Sequence, residues 1–153
     1  MPKKLKVQGP ASWTILIFGV IAFLLGIVGI INPEFILRTL GFEFVARANR
    51  ANSDYTLVFI VASSMASLNM GVYYILAAIN NVRKFYGWTV PFRCLTFIVF
   101  STVVLSGNAP IMFLGIAAWE LSGAIATGIA LYYEKKSGID PMAGSPNVAK
   151  NEA

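Results

Sequence analysis

Four long apolar stretches, separated by short segments that hold nearly all the charge, dominate the chain. The first runs from Trp13 to Ile31 without a charged residue, between Pro10 and the pair Asn32–Pro33. The others run from about Tyr55 to Ile79, from about Trp88 to Ser106 and from about Pro110 to Tyr133. A helix needs about 20 residues to cross the hydrocarbon core of a bilayer, so each stretch predicts a membrane span. Trp13, Tyr55, Trp88, Tyr132 and Tyr133 stand at the predicted ends, where amphipathic rings favour the headgroup level. Pro110 suits the first turn of a helix, where its missing N–H costs nothing. Only Gly107, Asn108 and Ala109 separate the last two spans, which makes them antiparallel neighbours. The pattern predicts an all-α, polytopic membrane protein: a compact four-transmembrane-helix bundle.

The segment from Pro33 to Asp54 has a different pattern. Phe35, Ile36, Leu40 and Phe44 recur at roughly helical spacing, with Glu34, Arg38 and Glu43 between them. That predicts a short amphipathic outer-loop helix lying in the interface. Two readings stand for it, an ordinary connector and a lid over a cavity. The chain then divides into a basic N-terminus (1–12), a membrane domain (13–133) and a tail (134–153). Gly138, Pro141, Gly144, Ser145 and Pro146 make that tail too polar to pack, so it is expected to be disordered. Lys3, Lys4 and Lys6 resemble the start of a signal peptide, but a signal's apolar core is only about 7–15 residues. No small-x-small cleavage pattern precedes Asn32, so the first stretch reads as a retained span.

Composition strengthens the membrane reading. Hydrophobic residues make up 57% of the chain and charged residues 12%, whereas soluble domains run near about 25% charged. The net charge of +5 needs no nucleic acid partner, because its placement follows membrane topology. Lys3, Lys4, Lys6, Arg83, Lys84, Lys135, Lys136 and Lys150 fall on the side of the N-terminus. Only Arg38, Arg47 and Arg50 fall opposite, which predicts that both termini are cytosolic. The chain has no histidine, which removes Ser-His and Cys-His catalysis and histidine-ligated haem or metal. A single cysteine, Cys94, removes intrachain disulfides and Cys-rich metal sites. Cys94 itself reads as packing, and no cofactor or metal is expected.

Ionisable and polar residues at membrane depth carry the functional signal. Glu120 lies about eleven residues into the fourth span, roughly 20 Å from Tyr133 at 1.5 Å per residue. It is too deep to snorkel, so it should face the bundle interior, protonated or hydrogen-bonded. Asn69 and Ser67 fall about 15 and 18 Å from the cytosolic end of the second span, and Ser101 about 20 Å into the third. Glu120, Asn69, Ser67 and Ser101 therefore predict a polar layer near mid-membrane. It reads either as interhelical hydrogen bonding that fixes register or as a proton donor with groups that orient a substrate. Arg93 lies about 7 Å inside the third span, roughly 12 Å from the level of Glu120, so no ion pair between them is expected. It reads as an interfacial anchor or as a binding group for a lipid phosphate or other anion. Arg47, Arg50 and Asp54 read as a solvated helix start or an outer anion site. Small residues repeat at Ala22 and Gly26, at Ser63, Ser67 and Gly71, and at Gly123 and Thr127, and allow close helix approach.

Gly26, Gly29, Asn32 and Pro33, then Gly71-Val72-Tyr73-Tyr74, then Trp119-Glu120, give residues 13–133 a resemblance to the DoxX-like group of small membrane proteins. The resemblance implies a four-helix membrane fold rather than a particular activity. Three functions follow as expectations. The first is an accessory or scaffold component that holds other membrane proteins, or a second copy, by its helix faces. The second is an isomerase or cyclase for a lipophilic, terpene- or sterol-like molecule, with Glu120 as proton donor and Asn69, Ser67, Ser101 and Arg93 as orienting groups. There Trp119 and Tyr73 would stabilise cationic charge. The third is a small proton-coupled carrier. The bilayer is the partner common to all three.

Overall fold

The computed structural model describes residues 7–138, and among them the chain is helical apart from its turns. The helices are α1 (Gly9–Ile31), α2 (Pro33–Thr39), α3 (Thr56–Ile79), α4 (Arg83–Leu105) and α5 (Leu114–Lys136). Two 3₁₀ turns, Arg47–Asn49 and Ile111–Phe113, complete the list. Four helices are long and apolar enough to cross a membrane: α1, α3, α4 and the continuous stretch Ile111–Lys136. The expected outer-loop helix is α2. The tail from residue 139 onward lies outside the described residues.

Local chemistry sets the boundaries. Pro10 occupies the first turn of α1, where no amide is needed. At the other end Asn32 closes α1 and caps α2, its side-chain oxygen accepting the Phe35 amide at 3.0 Å, with Pro33 in the first turn. The Asp54 carboxylate accepts the Thr56 amide at 2.9 Å and so satisfies an orphan donor at the start of α3. Asn81 takes a left-handed φ of 52° in the Asn80–Val82 turn, and Gly107, at 77°, does the same between α4 and the second 3₁₀ turn.

The observed helices run past the apolar runs at one end of the bundle, whereas at the other α3 starts at Thr56 rather than Tyr55 and α4 ends at Leu105 rather than Ser106. α1 starts at Gly9 rather than Trp13, α4 at Arg83 rather than Trp88, and α5 continues through Glu134 to Lys136. An apolar run marks only the part of a helix that must stay dry, and charged or polar turns extend it at either end. Pro110 is not in a first helical turn. It is extended, with ψ 151°, and precedes the 3₁₀ turn that leads into α5.

α1 packs between α3 and α5, and α4 packs on α5, as the short last hairpin predicts. α3 and α4 follow one another across a three-residue turn yet do not pack along their lengths. The order in space is α3, α1, α5, α4, and the fourth side of the expected compact bundle is open. Glycines make the α1–α3 contact possible. Gly71 lies against the backbone of Gly19 and Phe23, Gly26 against Leu68, and Gly29 against Ser64. The stripe on α3 is thus Ser64, Ser67 or Leu68, and Gly71; Ser63 is exposed and its neighbour takes its expected place. On α5, Gly123 and Thr127 are both buried as the small-residue spacing implies.

Candidate functional site

Two polar assemblies link the helices, and they serve different purposes. The first joins the N-terminus of α1, the start of α4 and the end of α5. Glu134 is 2% exposed; one carboxylate oxygen accepts the Ala11 amide at 2.8 Å and the other accepts from Arg83. Beside it the Ser12 hydroxyl donates to the Gln8 carbonyl at 2.7 Å and lies 3.0 Å from the buried Tyr86 hydroxyl. Tyr86 in turn reaches the Ala77 carbonyl at 3.1 Å, and Thr14 and Thr127 pair at 3.0 Å. Every polar group here has a partner within the protein, which is what a structural clamp requires. It also brings the two ends of the helical domain together.

The second assembly lies in the open side between α3 and α4. A cleft of about 300 Å³ runs there, with Ser67, Met70 and Tyr74 from α3 and Phe92, Arg93 and Thr96 from α4 on its walls. Phe18 and Ala22 of α1 and Glu120 of α5 form its floor. Arg93 is only 3% exposed, and none of its three guanidinium nitrogens has a hydrogen-bond partner. Its guanidinium carbon stands 3.5 Å from the centre of the Phe18 ring and 5.1 Å from that of Tyr74. These are cation–π contacts in a desolvated setting. Glu120 Oε2 is 3.8 Å from Arg93 Nε, an ion pair too long to be a hydrogen bond. Gly123, one turn beyond Glu120, leaves the room into which Phe18 and Arg93 fit.

The Arg93–Glu120 pair corrects the expectation that the two lie about 12 Å apart in depth. Arg83 and Glu134 are paired and fix a common level for α4 and α5. From there Arg93 is ten residues up α4, about 15 Å, and Glu120 is fourteen residues up α5, about 21 Å. The remaining gap of about 6 Å is within reach of an arginine side chain. The error came from starting α4 at Trp88, which left five residues of helix uncounted.

The expected polar layer is only partly assembled. Glu120 and Ser67 meet in the cleft, though the Ser67 hydroxyl donates to the Ala22 carbonyl at 3.0 Å. Asn69 is exposed and does not line the cleft. Ser101 has a buried hydroxyl without a partner, also away from the cleft. Trp119 stacks on Phe18 with ring centres 4.5 Å apart and so backs the cleft floor. Tyr73 is exposed, and its neighbour Tyr74 lines the cleft instead. Tyr74 and Phe18 are among the aromatic residues that sequence reasoning missed. Their signal was their i, i+3 or i+4 spacing from Gly71 and Ala22, on the faces that the small residues draw together.

The end of the bundle that carries α2 holds a separate cavity of about 530 Å³, lined by Asn32, Glu34, Phe35, Arg38, Phe44 and Arg47 among others. Arg47 donates to Glu34 at 2.9 Å, Arg50 to Asp54 at 2.7 Å, and Arg38 lies 3.8 Å over the Phe44 ring. A hydrogen bond from its own backbone amide, helped by Arg47, holds the Glu34 carboxyl below the usual carboxylate range. Hydrogen bonds from the Thr56 hydroxyl and amide, helped by Arg50, do the same for Asp54. Arg50 and Asp54 are therefore occupied with each other and with the helix start, and Arg47 with Glu34. α2 contributes no side chain to the cleft. Among the described residues no three Cys, Asp or Glu side chains converge in a metal-binding group.

The fold and the cleft define a class: a small all-helical protein with four membrane-length helices and an open, mostly apolar cleft that holds one arginine and one glutamate. No family model, curated protein or solved structure matches the chain.

Proposed function

We propose that this is a multi-pass membrane protein with both termini in the cytosol, and that it binds a lipophilic, terpene- or sterol-like molecule between α3 and α4. The membrane assignment draws on four helices of spanning length and on the apolar side chains they expose. Ile17, Leu24, Phe59, Phe92, Ile98 and Ile129 are each more than half exposed, which water does not tolerate over so large a surface. The Ala11–Glu134 bond sets the start of α1 beside the end of α5, and Arg83, Lys84, Lys135 and Lys136 lie at that same end. A tag on the C-terminus should be unreachable by antibody in intact cells and reachable after permeabilisation. Labelling of intact cells would turn the orientation over.

The observation that carries the binding reading is Arg93, buried at the wall of an open apolar cleft with every guanidinium donor unused. Burying unused donors is costly, and a ligand oxygen would recover that cost. An accessory role rests on the lack of a catalytic set and on small-residue stripes, of which those on α1 and α3 meet each other within the chain, whereas ligand binding has an observation of its own. Chemistry on the ligand would draw on Glu120 alone, while binding draws on Arg93 and Glu120 together. Native mass spectrometry of the protein released from lipid particles is expected to show one retained lipophile per chain. Thr96→Phe, which fills the cleft from a half-buried position on α4, should lower that occupancy about tenfold with the fold intact. Equal occupancy in wild type and variant would place the lipid elsewhere.

A further inference from the structure

Resting on that reading of the cleft, we infer that its ligand carries a neutral hydroxyl head, whose oxygen bridges Arg93 and Glu120: a long-chain or isoprenoid alcohol rather than an acid or a hydrocarbon. Charge comes first. The groups facing the site from the packed helices are Arg93 on α4, Glu120 on α5 and the Tyr74 phenol on α3, while α1 offers only Phe18 and Ala22. The contact with Arg93 makes Glu120 the carboxylate of an ion pair, so the two charges cancel. An anionic head would leave one uncompensated negative charge in a low-dielectric site, and a cationic head would leave a positive one.

Hydrogen-bond complementarity comes second. Arg93 offers only donors and a carboxylate only acceptors. An alcohol oxygen answers both, accepting from the guanidinium and donating its O–H to Glu120. A ketone or ether can only accept, and a hydrocarbon does neither. The spacing suits a bridge. With Nε and Oε2 separated by 3.8 Å, an oxygen about 2.8 Å from each completes the bridge once the Arg93 side chain turns its buried Nε toward the cleft. The bond from Arg93 to Glu120 is unmade, so the ligand need not displace one.

Size comes third. The cleft volume of about 300 Å³ is at the small end for ligand sites, enough for a head and a few carbons. The rest of the molecule has to continue along the seam where α3 and α4 do not pack, past the exposed Met70 and Phe92. That requires a long apolar tail entering from the side.

Three probes that share one chain and differ only in the head separate the possibilities: 1-dodecanol, dodecanoate and dodecane. Each is titrated by competition against radiolabelled dodecanol on the full chain in lipid nanodiscs, in alkaline buffer where the acid is ionised. Dodecanol is expected to bind at least about tenfold more tightly than either of the others. Glu120→Gln, which leaves the site positive, is expected to raise dodecanoate affinity about tenfold and so largely erase the preference. Arg93→Met should abolish discrimination between dodecanol and dodecane. Dodecanoate binding wild type as tightly as dodecanol would overturn the neutral head, and dodecane matching dodecanol would overturn the hydrogen-bonded bridge. Both results leave the cleft a lipophile site. Binding of none of the three, with Thr96→Phe also without effect on retained lipid, would overturn the cleft reading itself. The wild-type comparison needs no variant to fold.

Discussion

Glu134→Ala is expected to lower stability by about 3–5 kcal/mol, a fall on the order of 10 °C in the thermal midpoint for a chain of this size. The carboxylate is 2% exposed and answers two donors on two different elements, the Ala11 amide and Arg83. Removing it leaves a first-turn amide of α1 without an acceptor and Arg83, 13% exposed, without its counter-charge. Both costs arise in a crowded spot, since Gly9, with φ 81°, packs directly on the Glu134 side chain. Taking out both charges together, as Arg83→Met with Glu134→Leu, is expected to return most of the loss, because an unpaired buried charge is worse than no charge. The part not returned is the Ala11 amide, about 1–2 kcal/mol. Glu134→Gln tests the division, since the amide oxygen can still accept from Ala11 while the charge is gone. Thermal unfolding of the purified chain in one detergent reads all four proteins. A change for Glu134→Ala within about 0.5 kcal/mol, the range of ordinary surface substitutions, would mean that the three helix ends are held by something else.

The difference between Glu134 and Glu120 shows what a membrane-type sequence discloses. Position along a span is readable, because apolar runs mark the dry part of each helix, and Glu120 stands in the middle of one. Facing is not. Both the lipid side and the protein side of such a helix are apolar, so the 3.6-residue alternation that orients a soluble helix is nearly flat here. For that reason Ser63 and Ser64, Tyr73 and Tyr74, and Asn69 and Ser67 could not be told apart by pattern, and in each pair the structure turns one toward the core or cleft and the other away. Glu134 was invisible for a different reason. Glu-Lys-Lys after a pair of tyrosines reads as a solvated end, and its burial depends on Ala11 and Arg83, distant in sequence by more than a hundred and by about fifty residues.

The open side between α3 and α4 was equally hidden. A three-residue turn normally brings its two helices together, and nothing in Asn80-Asn81-Val82 signals divergence. The cause lies in what else α3 can do. Its Ser64, Leu68 and Gly71 face meets the glycines of α1 at backbone contact, and that contact turns α3 toward α1. α4 meanwhile follows α5, to which it is tied by Arg83 and Glu134 at one end and by Arg93 and Glu120 farther along. The cleft is the space left between two independently fixed pairs. The partner of Glu120 and its exposure to an open seam follow from helix packing rather than from any local motif.

If that account is right, Gly71→Val closes or scrambles the cleft from a position that does not line it. A side-chain carbon added at Gly71 would sit 2.7 Å from the Gly19 carbonyl oxygen and 2.5 Å from the Phe23 amide nitrogen, both backbone atoms of α1 that no rotamer change can move. The helices have to separate, and overpacking of this kind costs about 1–3 kcal/mol even where side chains can adjust. Valine, with two more carbons, is expected at or above the upper end. Gly71→Ala should fall near the middle, about 2 kcal/mol. Gly87 supplies the control. It lies inside α4 with nothing within 4 Å of the added carbon, so Gly87→Ala is expected to stabilise by about 0.5–1 kcal/mol. The same Gly71→Val protein should retain little lipophile in native mass spectrometry, because Ser67, Met70 and Tyr74 ride on the displaced helix. Full stability for Gly71→Val would show that α3 is not held against α1 by backbone contact. Lost stability with lipophile retention unchanged would show that the cleft does not depend on where α3 sits.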